Sequence, residues 1–174
     1  MTDPDGLPWL FLDVDGPLNA FDMDEPEAGF GDFRIVQAMG FSLQLSRTMG
    51  RRLAALPVEI AWATTWSPWV DDAVASVIGL PVGLRVAASP PAGDDRLSET
   101  NWKLVQIREF LGGDPRPFVW VDDDALDQPD PAGTTPRRWA AELNLKSLLV
   151  APSPRTGLTP AEIDAIEAWL GELR

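Results

Sequence analysis

The chain of 174 residues carries 27 acidic and 14 basic side chains, a formal net charge of −13, and contains no cysteine, histidine or tyrosine. This composition excludes disulfide bonds, a cysteine nucleophile, a Ser-His-Asp triad and a zinc finger. Oxygen is then the main ligand left for a bound metal, which favours a hard cation such as Mg²⁺.

Length and charge also set expectations for the organisation of the chain. At about 150 residues per domain, we predict a single domain over residues 1–174, with 1–8 flexible. The negative charge argues against a broad nucleic-acid-binding surface, because phosphate contacts need clustered Lys or Arg. It fits a monomeric, cytoplasmic protein. No apolar run reaches the ~18 residues of a membrane span, and the acidic N-terminus lacks the basic segment of a signal peptide.

The first third of the chain begins with an apolar run. Trp-Leu-Phe-Leu over 9–12 is followed by Asp-Val-Asp-Gly, which predicts a buried strand that ends in a turn. The acidic residues 17–33 predict a flap, and partial alternation over 33–46 predicts a small hairpin. Ser46 is the predicted N-cap of a helix that reaches about residue 56. We therefore expect 17–57 to form a flap, a small insertion and a helix, which amounts to a minimal cap or none.

The rest of the chain alternates predicted strands with predicted helices. Gly79 ends the first of these helices, and Thr159 with Glu162 forms a capping box at the start of the last one. Such alternation predicts a parallel sheet with helices on both faces, a three-layer, Rossmann-like α/β fold. The predicted elements are strand 58–63, a helix from Ser67-Pro68 to 78, strand 82–88, loop 89–95, helix 99–111, strand 118–121, helix 136–144, strand 147–150 and a helix that begins after Thr159.

Acidic side chains follow two of the predicted strands directly. Asp13 and Asp15 come after the first strand, and Asp122 and Asp123 come after Phe-Val-Trp-Val. Taken alone, each group could be solvated turn residues. An EF-hand does not fit, because Gly16 stands at the fourth position of the loop instead of the sixth. Ligands of parallel α/β sheets bind beyond the carboxyl ends of the strands, so the two acidic groups are expected to converge on a Mg²⁺ site.

Four short motifs in chain order resemble those of the haloacid dehalogenase-like (HAD) superfamily of phosphatases and phosphotransferases. The resemblance covers about residues 9–150. More narrowly, Leu-Asp-Val-Asp-Gly, Ala-Thr-Thr-Trp and Val-Asp-Asp-Asp look like the small HAD domain associated with multi-domain RNA repair proteins. One departure is Pro17, where the family usually has Thr or Val, since proline removes a backbone donor. The four motifs are Leu12–Gly16, Ile60–Thr64, Lys103 in Asn-Trp-Lys, and Val119–Asp123.

The resemblance implies a role for each motif residue. Asp13 would be the nucleophile and Asp15 the general acid and base. Thr64 and Lys103 would hold the phosphoryl group, with Thr65 replacing Thr64 if the predicted strand end is wrong by one residue.

The metal and substrate contacts follow from the same resemblance. Mg²⁺ would be bound by Asp13, by Asp15 through its backbone carbonyl, and by Asp122, with Asp123 either a direct ligand or a hydrogen-bond partner of the ligands. Substrate contacts are expected from Gly16, Thr65 and Trp66. Trp66 and Trp69 are candidates to stack on a base or sugar, or else they pack in the core. Candidate anion contacts, or else solvated surface residues, are Arg34, Arg137 and Arg138.

These residues predict a Mg²⁺-dependent phosphohydrolase with an aspartyl-phosphate intermediate. Its substrate would be a phosphorylated small molecule, a nucleotide or the terminal phosphate of a nucleic acid. A phosphotransferase or phosphomutase would use the same residues. Two non-enzymatic alternatives also stay open: a HAD-like binding module without turnover, and an acidic interaction domain.

Overall fold

A computed structural model describes residues 6–21, 29–91 and 101–173 of the chain, and seven strands lie in these ranges. Five of the strands form a parallel sheet in the order β5-β4-β1-β6-β7, and β2 and β3 form a separate antiparallel hairpin. The strand order changes direction at β1, so the carboxyl ends of β1 and β6 lie where such sheets bind ligands. The strands are β1 (Trp9–Leu12), β2 (Arg34–Ala38), β3 (Phe41–Leu45), β4 (Glu59–Ala63), β5 (Arg85–Ala88), β6 (Phe118–Val121) and β7 (Ser147–Val150).

Helices cover both faces of the sheet. Leu12 of β1 shares one core cluster with Leu53 and Ile166, and Phe11 shares a second cluster with Leu104. Neighbouring residues of β1 thus face opposite cores, as expected for a strand that is buried on both sides. The predicted three-layer α/β fold is confirmed. The helices are α1 (Arg47–Ala54), α2 (a π-helical turn, Asp71–Ala75, continued by α-helical Ser76–Ile78), α3 (Trp102–Gly113), α4 (Pro136–Glu142) and α5 (Pro160–Gly171).

The insertion between β1 and β4 contains the predicted hairpin. Its strands are joined by Met39 and Gly40, whose φ angles are 50° and 82°. Positive φ at both central residues is the geometry of a type I′ turn, which matches the twist of a tight hairpin. Leu43 and Leu45 of β3 are buried, so the hairpin lies against the core of the domain. Together with α1, the hairpin lies in the chain between β1 and β4, the region for which the sequence predicts a small insertion.

The predicted helix starts are confirmed where capping residues mark them. Ser46 accepts a hydrogen bond from the Met49 N–H at the start of α1, and Thr159 forms the predicted capping box with Glu162. The helix expected from residue 99 begins at Trp102, and residues 99–100 lie outside the described ranges. The predicted flexible N-terminus, flap and loop fall partly outside them too, at 1–5, 22–28 and 92–95. No helix in the described part of the chain is long and apolar enough to span a bilayer.

The strand predicted over 82–88 is wrong at its beginning, because β5 starts at Arg85. Gly83 has a φ of 75°, which no extended strand residue adopts, and its N–H donates to Asp71 Oδ2 at 2.7 Å. This contact ties the loop before β5 to the first turn of α2. The strand therefore becomes regular only after the loop has passed this point.

The helix predicted from Ser67-Pro68 also begins later, at Asp71. Residues 65–69 form a turn, in which the Trp69 N–H donates to the Trp66 carbonyl at 2.8 Å. The turn separates β4 from α2 and fixes the direction of the Trp66 side chain.

The amino end of the sheet is held together by Arg116, which precedes β6. Its guanidinium donates to the Leu7 carbonyl at 2.7 Å, to Glu59 Oε1 at 2.8 Å and to Asp114 Oδ1 at 2.9 Å. It also lies 3.9 Å from the ring centroid of Trp9, within cation–π distance. Arg116 therefore joins the starts of β1, β4 and β6.

Candidate active site

The register of the sheet brings the first and fourth motifs to the same level. Leu12 of β1 pairs with Val121 of β6, and the Asp13 N–H continues the ladder to the Val121 carbonyl at 3.1 Å. Asp13 and Asp122 are the next residues on the two strands, and both are buried. The structure therefore brings these two carboxylates together beyond the carboxyl ends of neighbouring strands.

Lys103 lies between these two carboxylates. Its Nζ is 2.5 Å from Asp13 Oδ2 and 2.7 Å from Asp122 Oδ2. Burial acts to lower the pKa of Lys103, but the two carboxylates outweigh this effect, so its pKa lies above the ordinary value. The ammonium is consequently a fixed positive charge at the site.

Asn101 determines where Lys103 stands. Its Oδ1 accepts the Leu104 N–H at 3.0 Å as the N-cap of α3, and its Nδ2 donates to the carbonyls of Ala125 and Gln128. The cap thus fixes the first turn of α3, which carries Lys103, to the loop after β6. An Asn two residues before the Lys is a recognisable capping signal, so Asn101 could have been found from the sequence.

The site contains more negative charge than Lys103 can neutralise. Burial raises the pKa of Asp13 to about 7; Lys103 opposes the shift and Asp122 adds to it. Burial, followed by repulsion from Asp122, raises the pKa of Asp123 to about 6. Both shifts mean that burial and the repulsion from Asp122 disfavour the ionised carboxylates more than Lys103 favours them.

The carboxylates of Asp13, Asp122 and Asp123 fit a hard divalent cation. Each offers one oxygen atom, and the three oxygens lie within 4.8 Å of one another. An all-oxygen ligand set is the one that Mg²⁺ prefers, and the charge of the ion would favour the ionised carboxylates that burial and repulsion disfavour. These residues therefore fit the metal that the sequence predicts.

Gly16 allows the loop after β1 to approach Asp123. Its φ is 85°, and a Cβ atom at this position would lie 2.2 Å from Asp123 Cγ. A side chain would therefore be strained by the backbone conformation and would clash with the carboxylate. The structure gives Gly16 this packing role; the predicted substrate contact stays a prediction.

The Asp15 side chain has its own hydrogen-bond partners and does not belong to the cluster of the other three carboxylates. Its Oδ1 accepts from Asn19 Nδ2 at 2.8 Å, and its Oδ2 accepts from the Trp66 indole N–H at 2.9 Å. Asn19 in turn accepts the Gln44 N–H at 2.8 Å, which connects this group to β3. Asp15 is thus oriented separately from the cluster of Asp13, Asp122 and Asp123, and the metal contact through its backbone carbonyl stays a prediction.

The two threonines after β4 have different environments. Thr64 is fully buried, and its Oγ1 accepts the Trp66 N–H at 3.3 Å. Thr65 is exposed and lines the cavity above the carboxylates, whereas Thr64 does not. The geometry therefore favours Thr65, the alternative left open from the sequence, for contact with a ligand.

Two cavities meet at Asp15. The first, here named the acidic cavity, has a volume of about 440 Å³ and is lined by Asp13, Lys103, Asp122 and Asp123, among others. The second, here named the aromatic cleft, has a volume of about 420 Å³. Its apolar lining is formed mainly by Phe21, Met39, Phe41, Trp66 and Trp69. Both cavities share Asp15, Phe21 and Thr65.

Arg137 and Arg138 are not among the described residues that line the acidic cavity or the aromatic cleft. Arg137 pairs with Asp127 and Arg138 with Glu142, in both cases on the surface. The surface alternative that the sequence left open for these two residues therefore fits their positions.

A parallel sheet with buried aspartates beyond β1 and β6 and a helix-borne lysine between them is the arrangement of a HAD-like domain. A family model described as the HAD domain in Swiss Army Knife RNA repair proteins matches residues 9–163, and the chain belongs to this family. No curated protein matches the chain significantly.

Proposed function

We propose that the protein is a Mg²⁺-dependent phosphomonoester hydrolase that works through an aspartyl-phosphate on Asp13. The observation that supports this most directly is the position of Asp13 at the end of β1. It is buried, hydrogen-bonded to Lys103, and within one cluster with Asp122 and Asp123. Membership of the HAD family supports the same class of reaction.

In the first step, an Asp13 oxygen attacks phosphorus and the bond between phosphorus and the ester oxygen breaks. Asp15 gives its proton to the departing oxygen, so that a neutral alcohol leaves. The Val14 N–H donates to Asp13 Oδ1 at 2.7 Å, and Lys103 contacts Oδ2. These contacts hold the carboxylate in one orientation for the attack.

In the second step, Asp15 takes a proton from a water molecule while the water oxygen attacks phosphorus. The bond between phosphorus and Asp13 breaks, inorganic phosphate leaves, and both carboxyl groups return to their initial states. Asn19 and Trp66 hold Asp15 through one oxygen each, so it keeps its position through both steps.

Asp13, Asp122 and Asp123 are the residues that would hold Mg²⁺, which when bound would stabilise negative charge on the transferring phosphoryl group. Lys103 would add a second positive charge beside the same oxygens. Thr65 supports the proposal as a neutral donor at the wall of the cavity.

The family description names RNA repair proteins. Nucleotides and nucleic-acid ends that carry a terminal phosphate therefore belong among the candidate substrates, together with small phosphorylated metabolites.

The test is release of inorganic phosphate from a panel of phosphomonoesters in the presence of Mg²⁺. Asp13→Asn should reduce the rate by at least about a thousandfold, because the amide cannot form the covalent intermediate. Asp72→Asn on α2 is the matched control, since Asp72 is exposed and lines neither cavity. Acid quenching followed by mass spectrometry should locate the added phosphoryl group on Asp13. Equal rates for the wild type and Asp13→Asn would contradict the proposal, and transfer to an alcohol instead of water would identify a phosphotransferase.

A further inference from the structure

The aromatic cleft exposes more apolar side-chain surface than its surroundings explain. Phe21, Met39, Phe41 and Trp69 are 60%, 57%, 63% and 50% exposed, and all four line this one cleft. Single exposed apolar residues are common, but a contiguous group of this kind marks a binding surface. Its volume falls within the ~300–1,000 Å³ of small-molecule pockets.

The backbone at Met39 supports a role for its side chain. Met39 has a φ of 50° in the hairpin turn, a conformation in which Gly, Asn or Asp is preferred. Methionine favours neither a positive φ nor an exposed position. Met39 nevertheless has both, and it lines the cleft. A strained position beside a pocket is where functional side chains accumulate.

The walls of the cleft are shaped by fixed aromatic contacts. The rings of Phe41 and Trp66 meet edge to face, with centroids 5.8 Å apart. Trp66 is itself held by Asp15, so the wall is connected to the reaction site by a direct hydrogen bond. These rings are already held in place, so a ligand that contacts their faces or edges would not have to order them first.

The position of the cleft relative to Asp15 indicates which part of a substrate it would receive. The Asp15 side chain lines both cavities, with the clustered carboxylates on the side of the acidic cavity. The proposed function puts the ester oxygen beside Asp15 and phosphorus beside Asp13. The carbon group on the ester oxygen would then extend away from the acidic cavity and into the aromatic cleft.

The charge of the cleft lining limits which carbon groups of an ester could bind there. Among the described residues that line the cleft, Asp15 is the only charged one, and none is a lysine or an arginine. A further phosphate would meet no positive partner among these described residues, whereas an uncharged ring would bury apolar surface on both sides.

We propose, on the basis of the proposed function, that the aromatic cleft selects phosphomonoesters whose alcohol carries a flat, uncharged ring. The ring stacks against Trp69 and Phe41 while phosphorus lies beside Asp13. A nucleobase and a simple aryl group share this chemistry.

The experiment compares kcat/KM within pairs of esters that differ in the ring. Adenosine 5′-monophosphate is paired with ribose 5-phosphate, and benzyl phosphate is paired with ethyl phosphate. Cyclohexylmethyl phosphate separates a flat ring from one that is merely apolar. The wild type should prefer the ring-bearing member of at least one pair by about tenfold or more, as expected for stacking on an aromatic side chain. The pair in which the ring-bearing ester is preferred shows whether the ring is a nucleobase or a simple aryl group.

Variants test whether the cleft causes the preference. Trp69→Ala and Phe41→Ala should bring the ratio of kcat/KM within the responding pair close to one, and Trp69→Phe should retain most of it. Ile35→Ala is the matched control, because Ile35 is 72% exposed on the same hairpin but does not line the cleft.

The outcomes separate the two proposals. Turnover of both members of each pair at equal kcat/KM overturns the ring inference and leaves the hydrolase proposal standing. Equal rates for benzyl and cyclohexylmethyl phosphate overturn the requirement for a flat ring. An unchanged preference in Trp69→Ala and Phe41→Ala overturns the role of the cleft. Absence of Asp13-dependent turnover with every ester overturns the proposed function and the inference with it.

Discussion

The two ends of the central sheet differ in whether the ionised form of their buried charged groups is favoured. At the carboxyl end, three clustered carboxylates face one ammonium, that of Lys103. At the amino end, the Arg116 guanidinium is surrounded by acceptors, and its hydrogen bond to Glu59 is the largest cause that raises its pKa. The charged form is therefore favoured at the amino end, whereas at the carboxyl end burial raises the pKa of Asp13 and disfavours its ionised form.

Because of this difference, we expect the amino end of the sheet to affect mainly stability and the carboxyl end to affect mainly ligand binding and activity. The ionised forms of the clustered carboxylates are disfavoured in isolation and would be favoured by a nearby cation. We therefore expect a bound cation to stabilise the carboxyl end. The amino end contributes to the free energy of unfolding and requires no ligand. Changes at the two ends should consequently alter different measured properties.

The largest expected effect is on the pH dependence of stability at the carboxyl end. The pKa of Asp13 is raised above its unfolded value, so folding is favoured while this group is protonated, and the contribution is lost between about pH 4 and pH 7. In metal-free protein, Asp13→Asn should therefore gain stability over the wild type as the pH rises, by on the order of 4 kcal/mol at pH 8. Urea unfolding in EDTA at pH 4 to 8 measures the difference. Asp72→Asn, which removes an exposed carboxylate outside both cavities, is the control. A pH-independent difference for Asp13→Asn would contradict the assignment.

The second effect should come from the metal. At a Mg²⁺ concentration one hundred times Kd, binding to the folded state alone stabilises it by about 2.7 kcal/mol, which thermal unfolding detects as a higher Tm. Asp122→Asn should lose this shift while keeping an oxygen to accept the Ala125 N–H. Glu109→Gln removes an exposed charge and should keep the shift. An equal shift in Asp122→Asn and the wild type would place the metal elsewhere.

The smallest effect should arise at the amino end. Arg116→Met removes the hydrogen bonds to Leu7, Glu59 and Asp114, and it should lower the free energy of unfolding by about 2 kcal/mol, since the carboxylates left behind are partly exposed. The kcat should stay unchanged, because Arg116 lies at the opposite end of the strands from Asp13. Arg137→Met breaks a surface pair and should cost no more than about 0.5 kcal/mol. A reduced kcat in Arg116→Met at a temperature where it is folded would contradict the separation.

The strands that carry the site could be predicted from the sequence because their signals are local. The bounds of β1 and β6 coincide with those predicted, since each is a continuous apolar run that stops at an aspartate. The same holds for the start of α5, where Thr159 and Glu162 form the capping box within one helical turn. The expectation that Asp13 and Asp122 would meet then needed only the rule that parallel strands end at one edge of the sheet.

The contacts that orient Asp15 could not be predicted in the same way. Trp66 is separated from Asp15 by 51 positions and lies in the turn over 65–69, whereas the sequence predicts a helix from Ser67 onward. Asn19 depends on the position of the hairpin, because its second hydrogen bond is to Gln44. Both contacts arise from the packing of separate segments, for which the chain gives no periodic signal.

Only part of the aromatic cleft could be predicted from the sequence, for a related reason. Trp66 and Trp69 are candidates for stacking from the sequence alone, whereas Phe21 and Phe41 belong to separate segments that show no such signal. Only the docking of the hairpin beside the turn after β4 places them around one opening.

The contact between Gly16 and Asp123 has a consequence for how this domain can diverge. The loops that carry these residues are more than a hundred positions apart, yet the missing side chain of one makes room for the carboxylate of the other. A larger residue at 16 could be accommodated only if 123 became smaller, which would remove an acid from the cluster. We expect the two loops to be inherited as one unit, so that grafting either alone into a related scaffold would yield a protein that folds but lacks a complete cluster.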